Sequence, residues 1–350
     1  MEPGHPCRGV AAVRVAFIGH FTETGATGDM GARAVARHLS AEMEKHHEVW
    51  RVDVRDLSAW YRLAAFRPDI IHLVLGPTTE GLLASWLCML PLHRAHLVIS
   101  APNPSPSLRR IAVRLCNPDL VLVQSERSER FFRSLGIPAR FLPNGVDTDR
   151  FTPVPAPTKR TLRSEHNLDP ERFTLLHVGP IIPGRNLAPL APLSEEGYQV
   201  VIVGREPVDR GIMDRLTGAG CRVITRPVEH IEKYYQLADC YLFPVPPDQL
   251  TASIETPLSV LEAMAANLPV ITTRFGAIPR LFPSSGDGFV LLDHPDQLRQ
   301  ALESLRASPD PIRTRERVAP CSWQAIGVRL REYYEGLQGR HRIPLRGERI

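Results

Sequence analysis

The sequence predicts an α/β protein built from two Rossmann-like, doubly wound domains that face each other across a central cleft. Three observations predict it. Residues 13–19 form a short β-rich run, followed by a glycine-rich loop over 25–31 and helical spacing over 32–45, the opening unit of a doubly wound domain. Short apolar runs then alternate with helical segments, which argues for a parallel sheet. A proline-rich linker at 153–158 interrupts the alternation, and the pattern restarts beyond it. A length of 350 residues suits two domains, and 43% hydrophobic residues give each half a core to bury.

In chain order, residues 1–12 read as a leader without structure. Strands are expected at 13–19, 48–54, 69–75, 96–100, 120–124 and 140–142, with helical segments between them. After the linker, strands are expected at 174–178, 200–204, 222–225, 240–243, 270–273 and 289–292. Helices are expected at 228–238, 259–266, 296–307 and 323–337, and the basic tail over 339–350 reads as frayed. The domains are therefore drawn at 13–146 and 159–320, with a closing helix at 321–338. Two such halves leave a cleft between them, a common place for a ligand.

Composition narrows the function classes. A net charge of +4 mildly favours phosphate-bearing partners and is far from the balance of a nucleic-acid-binding protein. The six cysteines are scattered singly, with no C-x-x-C pair, so neither a metal site nor a disulfide framework is expected. No signal-peptide core is seen at the start, and the apolar stretch at 81–92 is too short to span a bilayer and is broken by Pro91. A cytoplasmic setting is expected, with any membrane contact at the inner surface.

The most informative stretch is Phe141-Leu-Pro-Asn-Gly-Val-Asp-Thr-Asp-Arg-Phe-Thr-Pro153. Asn144 and Gly145 tolerate positive φ and can turn the chain, while Pro143 and Pro153 stiffen the flanks. The stretch resembles the NGVD-x-x-x-F-x-P signature at the domain junction of family 4, or "group 1", retaining glycosyltransferases. Ile254-Glu-Thr-Pro-Leu-Ser-Val-Leu-Glu-Ala-Met-Ala-Ala266 is similar to that family's E-x7-E region. Read physically, it is a loop and a helix start, with Ser259 as a cap and Glu262 as its capping-box partner. The functional alternative is a helix N-terminus that faces a diphosphate, with amides around Leu258 and Ser259 and a carboxylate one turn in. The resemblance implies that Glu262 holds the ribose and that Glu255 reaches the donor sugar. Glu255 stands seven residues before Glu262 where the family has eight, and its other reading is an exposed loop carboxylate.

Leu175-Leu-His-Val-Gly-Pro-Ile-Ile-Pro-Gly-Arg-Asn-Leu187 resembles the family's first donor-domain strand, where an Arg and a Lys clamp the diphosphate. Pro180 occupies the Arg position and Arg185 the Lys position. Arg185 can pair bidentately with phosphate oxygens; its other reading is a solvated loop arginine. Arg205, after Gly204, is a further candidate cation. In the segment from Arg226 to Pro244, Val228 is implied to offer backbone contacts to the base. Phe275-Gly-Ala-Ile-Pro279 resembles the "GG-x-x-E" loop, with Arg280 where Glu is common. In the first half, Gly25-Ala-Thr-Gly28 sits where the family has a glycine loop near the donor phosphate, and Gly28 is taken as a donor contact. His72 lies in a strand matching the family's "DIIH", and Val74 stands where many members place a catalytic histidine. Asp147-Thr148-Asp149 reads as linker chemistry, and no metal is expected.

The resemblance implies the GT-B fold and transfer of a sugar, with retention, from a nucleotide-diphosphate sugar to a hydroxyl of a glycan or lipid-linked acceptor. The implied catalytic residues are Arg185 and Glu255. The implied donor contacts are Glu262, Leu258, Ser259, Val228 and Gly28. No cofactor beyond the donor substrate is implied, and no nucleic-acid partner. Arg109, Arg110 and Arg114 form either a solvated basic face or a contact to anionic lipid. The rival reading is a catalytically impaired sugar-nucleotide-binding protein that serves as an assembly partner.

Overall fold

Two parallel six-stranded sheets, one in each half of the chain, organise the molecule. The computed structural model describes residues 12–21, 30–74, 95–101, 116–247 and 255–338. Gly28, the basic run Arg109, Arg110 and Arg114, and the tail from 339 onward lie outside the described residues.

The first sheet is ordered β2-β1-β3-β4-β5-β6. Its strands are β1 (Arg14–Gly19), β2 (Glu48–Asp53), β3 (Ile70–Leu73), β4 (His96–Ala101), β5 (Leu120–Val123) and β6 (Ala139–Phe141). Helices α1 (Met30–Glu44), α2 (Leu57–Phe66) and α3 (Glu126–Ser134) belong to this half. The second sheet is ordered β12-β11-β10-β7-β8-β9. Its strands are β7 (Thr174–Val178), β8 (Gln199–Val203), β9 (Arg222–Ile224), β10 (Cys240–Phe243), β11 (Val270–Thr273) and β12 (Phe289–Leu292). Around it stand α4 (Ala156–Glu165), α5 (Ala191–Glu195), α6 (Arg210–Gly218), α7 (Glu232–Leu237), α8 (Leu258–Ala265), α9 (Ile278–Leu281), α10 (Leu298–Ala307) and α11 (Thr314–Val318). The last helix is α12 (Trp323–Gln338).

Apolar runs such as IIHL, LVLV and CYLF are buried at every position. A parallel strand covered on both faces needs that continuity rather than alternation. The α/β class and the doubly wound pattern expected from sequence are therefore present. In the second sheet the order reverses between β7 and β10, which pair directly. Ligands of open α/β sheets bind outside the carboxyl ends of the strands at such a reversal.

Four local expectations are corrected. The stretch 153–158 is not all linker, because Pro155 caps α4 and Pro157 falls in its first turn, where a missing N–H costs nothing. The helix expected over 228–238 is limited to α7. The N-cap of α8 is Pro257, which makes no side-chain cap bond, so Ser259 lies inside the first turn and forms no capping box with Glu262. The left-handed asparagines among the described residues are Asn117, Asn167, Asn186 and Asn267, so neither Asn144 nor Gly145 turns the chain through positive φ. Gly145 is needed for proximity instead: a Cβ there would lie 2.4 Å from Trp323 Cε3.

That proximity exists because the chain passes between the halves twice, side by side. Val146 N–H donates to Cys321 O at 2.9 Å, and Trp323 N–H donates to Val146 O at 3.2 Å. Asp147 Oδ1 accepts from the amides of Asp149 and Arg150 at 3.1 and 2.9 Å, which makes it a turn-forming carboxylate. Arg315 ties the first passage down through the carbonyls of Phe151 and Thr148, both at 2.8 Å. Beyond the second passage, Trp323, Ile326, Leu330, Tyr334 and Leu337 of α12 pack into one apolar cluster with Val15, Phe17 and Leu39 of the first half.

Candidate functional site

The strand reversal of the second sheet brings together the loop after β7 and the aromatic strand β10. The loop turns tightly through Pro183–Arg185, and Asn186 follows in the left-handed conformation (φ 50°, ψ 52°). The Asn186 side-chain amide donates to Pro244 O at 2.9 Å, which anchors the loop to the end of β10. The turn directs Arg185 inward, where it is only 3% exposed. Its Nε and Nη1 are buried and have no hydrogen-bond partner. Its guanidinium lies 5.7 Å over the Phe243 ring. Burial pulls its pKa down, and the nearby cation Arg205 pulls the same way. A buried guanidinium with empty donors is expensive to maintain, so an anionic ligand is the natural partner.

Opposite it stands the first turn of α8. Because Pro257 provides no capping side chain, the amides around Leu258 and Ser259 are not taken by a cap. The Ser259 hydroxyl is within hydrogen-bond reach of Tyr241, whose own hydroxyl donates to Val178 O at 3.3 Å. Ser259 through its hydrogen bond, and Glu262 and Arg185 through their charges, all act on that one phenol, so the three lie near it. Glu262 is half-buried, and its Oε2 accepts from Tyr235 Oη at 2.6 Å. Burial raises the Glu262 pKa, opposed by the Tyr235 bond and by Arg150 and Arg205. Arg205 thus acts on both Arg185 and Glu262 from the loop after β8. Gly204 before it admits close packing, since a Cβ there would meet Ile181 Cδ1 at 2.6 Å.

Val228 is half-buried beside the cluster that holds Tyr235 and Val260. Leu258 packs instead against the apolar cluster of the first half, which places the start of α8 at the seam between the halves. Asn144 Nδ2 donates across that seam to Thr256 O at 2.9 Å. Glu255 also reaches across it. Its Oε1 accepts from Ser125 Oγ at 2.6 Å and Ser128 Oγ at 2.5 Å, while Oε2 is buried without a partner. Desolvation raises the Glu255 pKa, and the two serine bonds oppose it.

Sequence reasoning missed Tyr235, Tyr241, Phe243 and Asn186. The available signal was topological: a strand rich in aromatics, CYLF, that pairs with the first strand of its domain. His72 is fully buried between Tyr334 Oη at 2.6 Å and Ser100 Oγ at 2.8 Å, so it belongs to the core of the first half. Among the described residues no cluster of His, Cys, Asp or Glu has the makings of a metal site, and no helix is long and apolar enough to cross a membrane.

Residues 185–308 match the family model described as Glycosyl transferases group 1. The chain is 26% identical over 298 residues to the sulfoquinovosyl transferase SQD2 of Arabidopsis thaliana, an alignment covering 77% of this chain and 57% of that protein. It is 28% identical over 242 residues to a GDP-mannose-dependent alpha-(1-6)-phosphatidylinositol monomannoside mannosyltransferase of Mycobacterium tuberculosis, covering 62% of this chain and 61% of that protein. The chain therefore spans less than two thirds of the length of these curated relatives. Among solved structures, Anabaena Alr3699/HepE in complex with UDP superposes with a TM-score of 0.70 at 15% identity, covering 92% of this chain and 100% of that one.

Proposed function

We infer the function from the premise that this chain belongs to the group 1 glycosyltransferases and has the GT-B fold: it transfers a sugar from a nucleotide-diphosphate sugar to an acceptor hydroxyl, with retention at the anomeric carbon. The observation that carries the reading is the buried Arg185 guanidinium with two empty nitrogens, set beside the uncapped first turn of α8.

In this reaction the bond between the anomeric carbon and the diphosphate oxygen breaks, and its electron pair leaves on the diphosphate. A new bond forms from the acceptor oxygen, whose proton passes to the departing phosphate. Negative charge therefore grows on the leaving group. Arg185 and the amides of Leu258 and Ser259 stabilise it as preorganised donors in a water-poor site. Glu262, held in place by Tyr235, accepts hydrogen bonds from the ribose hydroxyls. The loop carrying Val228 offers backbone groups to the base. Burial next to Phe243 and Tyr241 strengthens each charged contact. The acceptor is a hydroxyl of a glycan or lipid-linked molecule, taken up by the first half. The likeness to a mycobacterial phosphatidylinositol monomannoside mannosyltransferase supports a lipid-bearing acceptor and a surface contact with a membrane.

The test is a donor panel read by mass spectrometry, paired with calorimetric titration of UDP and GDP. One neighbour holds UDP and one relative is named for GDP-mannose, so both bases belong in the panel. Glu262→Ala is expected to weaken nucleotide binding at least tenfold while the melting temperature holds. Unchanged affinity in that variant removes Glu262 from the site, and binding by the parent without turnover of any donor overturns the catalytic reading.

A further inference from the structure

One turn of α3 in the first half receives two separate side chains from the second half. Ser125 caps α3 by accepting from the Ser128 amide at 3.1 Å, and both serine hydroxyls donate to Glu255 Oε1. On the same turn, Glu129 Oε2 accepts from Arg280 Nη1 at 2.6 Å, and the Arg280 guanidinium lies 3.9 Å over the Phe141 ring. Ser128 and Glu129 are buried. Glu255 and Arg280 are themselves built on one rigid corner. The Ala277 amide donates to Glu255 O at 2.7 Å, and the Arg280 amide donates to Ala277 O at 3.0 Å. Gly276 (φ +56°) packs so closely that a Cβ would lie 2.2 Å from Glu255 O. Both teeth therefore move together.

We infer that the first turn of α3 is the seat on which the second half closes, and that Ser125, Ser128 and Glu129 are positioning residues acting through Glu255 and Arg280. This inference rests on the proposed transfer reaction and adds to it how the two halves are set for the transfer. Glu255 lies three residues before Leu258, so fixing its carboxylate on α3 fixes the start of α8 relative to the first half. The one-residue departure in spacing from the family pattern accords with this role. Glu255 has given one oxygen to the serines, while its other oxygen is buried without a partner. The shared oxygen ties the carboxylate to α3 whatever group meets the free one. The tie is small, two points on one turn, and so can open and close during turnover.

The test uses the full chain. Ser128→Ala, Glu255→Gln and the double variant are compared for UDP and GDP affinity, for donor kcat and KM, and for radius of gyration by small-angle scattering. Each single variant is expected to keep nucleotide affinity within about twofold, to lower kcat about tenfold, and to widen the particle. The double variant is expected to be no worse than the poorer single, because both remove one shared interaction. Arg280→Ala, which cuts the second tooth, is expected to lower kcat further when added to either. A silent Ser128→Ala beside a Glu255→Gln that raises donor KM overturns the inference and returns Glu255 to direct sugar contact. Scattering reads the seat independently of turnover. Unchanged dimensions in both variants therefore overturn the seat even if sugar transfer stands, and widened variants of a protein that turns over no donor sustain the seat while the transfer reading falls.

Discussion

His72 and His177 stand in central strands of the two sheets, both fully buried, yet their surroundings differ. In the first half both ring nitrogens of His72 are filled, by Tyr334 and Ser100. In the second half Nδ1 of His177 donates to Leu242 O at 2.9 Å, and Nε2 has no partner. Beside it lies Arg185 with two more empty nitrogens. Buried polar groups in folded proteins are nearly always paired. Unpaired ones also occur in the first half, at Arg33, His47 and His96, so what marks the second half is the adjacency of His177 and Arg185 beside the strand reversal. His177 is not itself the anion contact. With Nδ1 donating, its Nε2 presents a lone pair, the wrong sign for phosphate, and it serves as backing for the Arg185 loop.

The largest expected effect tests that contrast directly. Arg185→Met removes a buried cation with two unpaired nitrogens, which the proposed function gives to the donor diphosphate. Hydrogen bonds to a charged group are worth about 1.5–3 kcal/mol each. Losing two is expected to weaken nucleotide binding on the order of 100-fold or more. The same change is expected to leave the melting temperature unchanged or raise it, because an unpaired buried charge opposes folding. Calorimetry with UDP or GDP reads the first quantity and scanning calorimetry the second. A variant that binds normally and melts early would make Arg185 a structural residue like His72.

The next effect concerns acid. Burial lowers the pKa of His72 to about 3 and that of His177 to about 4. In the unfolded chain both titrate near 6.5. The folded state therefore resists protonation, so stability is full above about pH 6.5 and falls as pH drops toward the folded values. At pH 4 the loss is on the order of 2–3 kcal/mol for each ring, at about 1.4 kcal/mol per unit. Urea unfolding from pH 7 to 4 is expected to show an uptake of protons to which each of these two rings adds up to about one. His72→Gln is expected to reduce the uptake by about one. An unaltered slope in that variant would mean that His72 is not the buried ring described here.

Much of this contrast could be read from the chain, and the remainder could not, for identifiable reasons. Strands β7, β10, β11 and β12 fall at the expected positions because fully buried parallel strands leave unbroken apolar runs. Arg185 and Glu262 stood out because they fall at motif positions of the family that the sequence resembles. The partner that holds Glu262, Tyr235, was hidden: its helical segment KYYQL reads as ordinary core until β10 is known to lie at the strand reversal. Ser125 and Ser128 were equally hidden, since their link to Glu255 spans about 130 residues of chain. Gly145 was noticed for the wrong reason. A glycine needed for proximity to Trp323 and a glycine needed for positive φ look identical in sequence.

The smallest effect compares two phenols in the same kind of service. Tyr334 shares a hydrogen bond with His72 in the first half, and Tyr235 donates to Glu262 in the second. Each bond is worth about 1 kcal/mol. Tyr334→Phe leaves a buried ring nitrogen unpaired, so it is expected to lower stability by about that amount and leave nucleotide affinity untouched. Tyr235→Phe frees the carboxylate that the proposed function gives to the ribose hydroxyls. Its stability change is expected to be smaller, and its nucleotide affinity is expected to fall about fivefold. Loss of the phenol also removes a bond that holds the Glu262 pKa down, so the proton on Glu262 is gripped more tightly. The affinity deficit is therefore expected to be larger at pH 5.5 than at pH 8. A deficit that does not vary with pH would leave Tyr235 as packing alone and would remove Glu262 protonation from the account of donor binding.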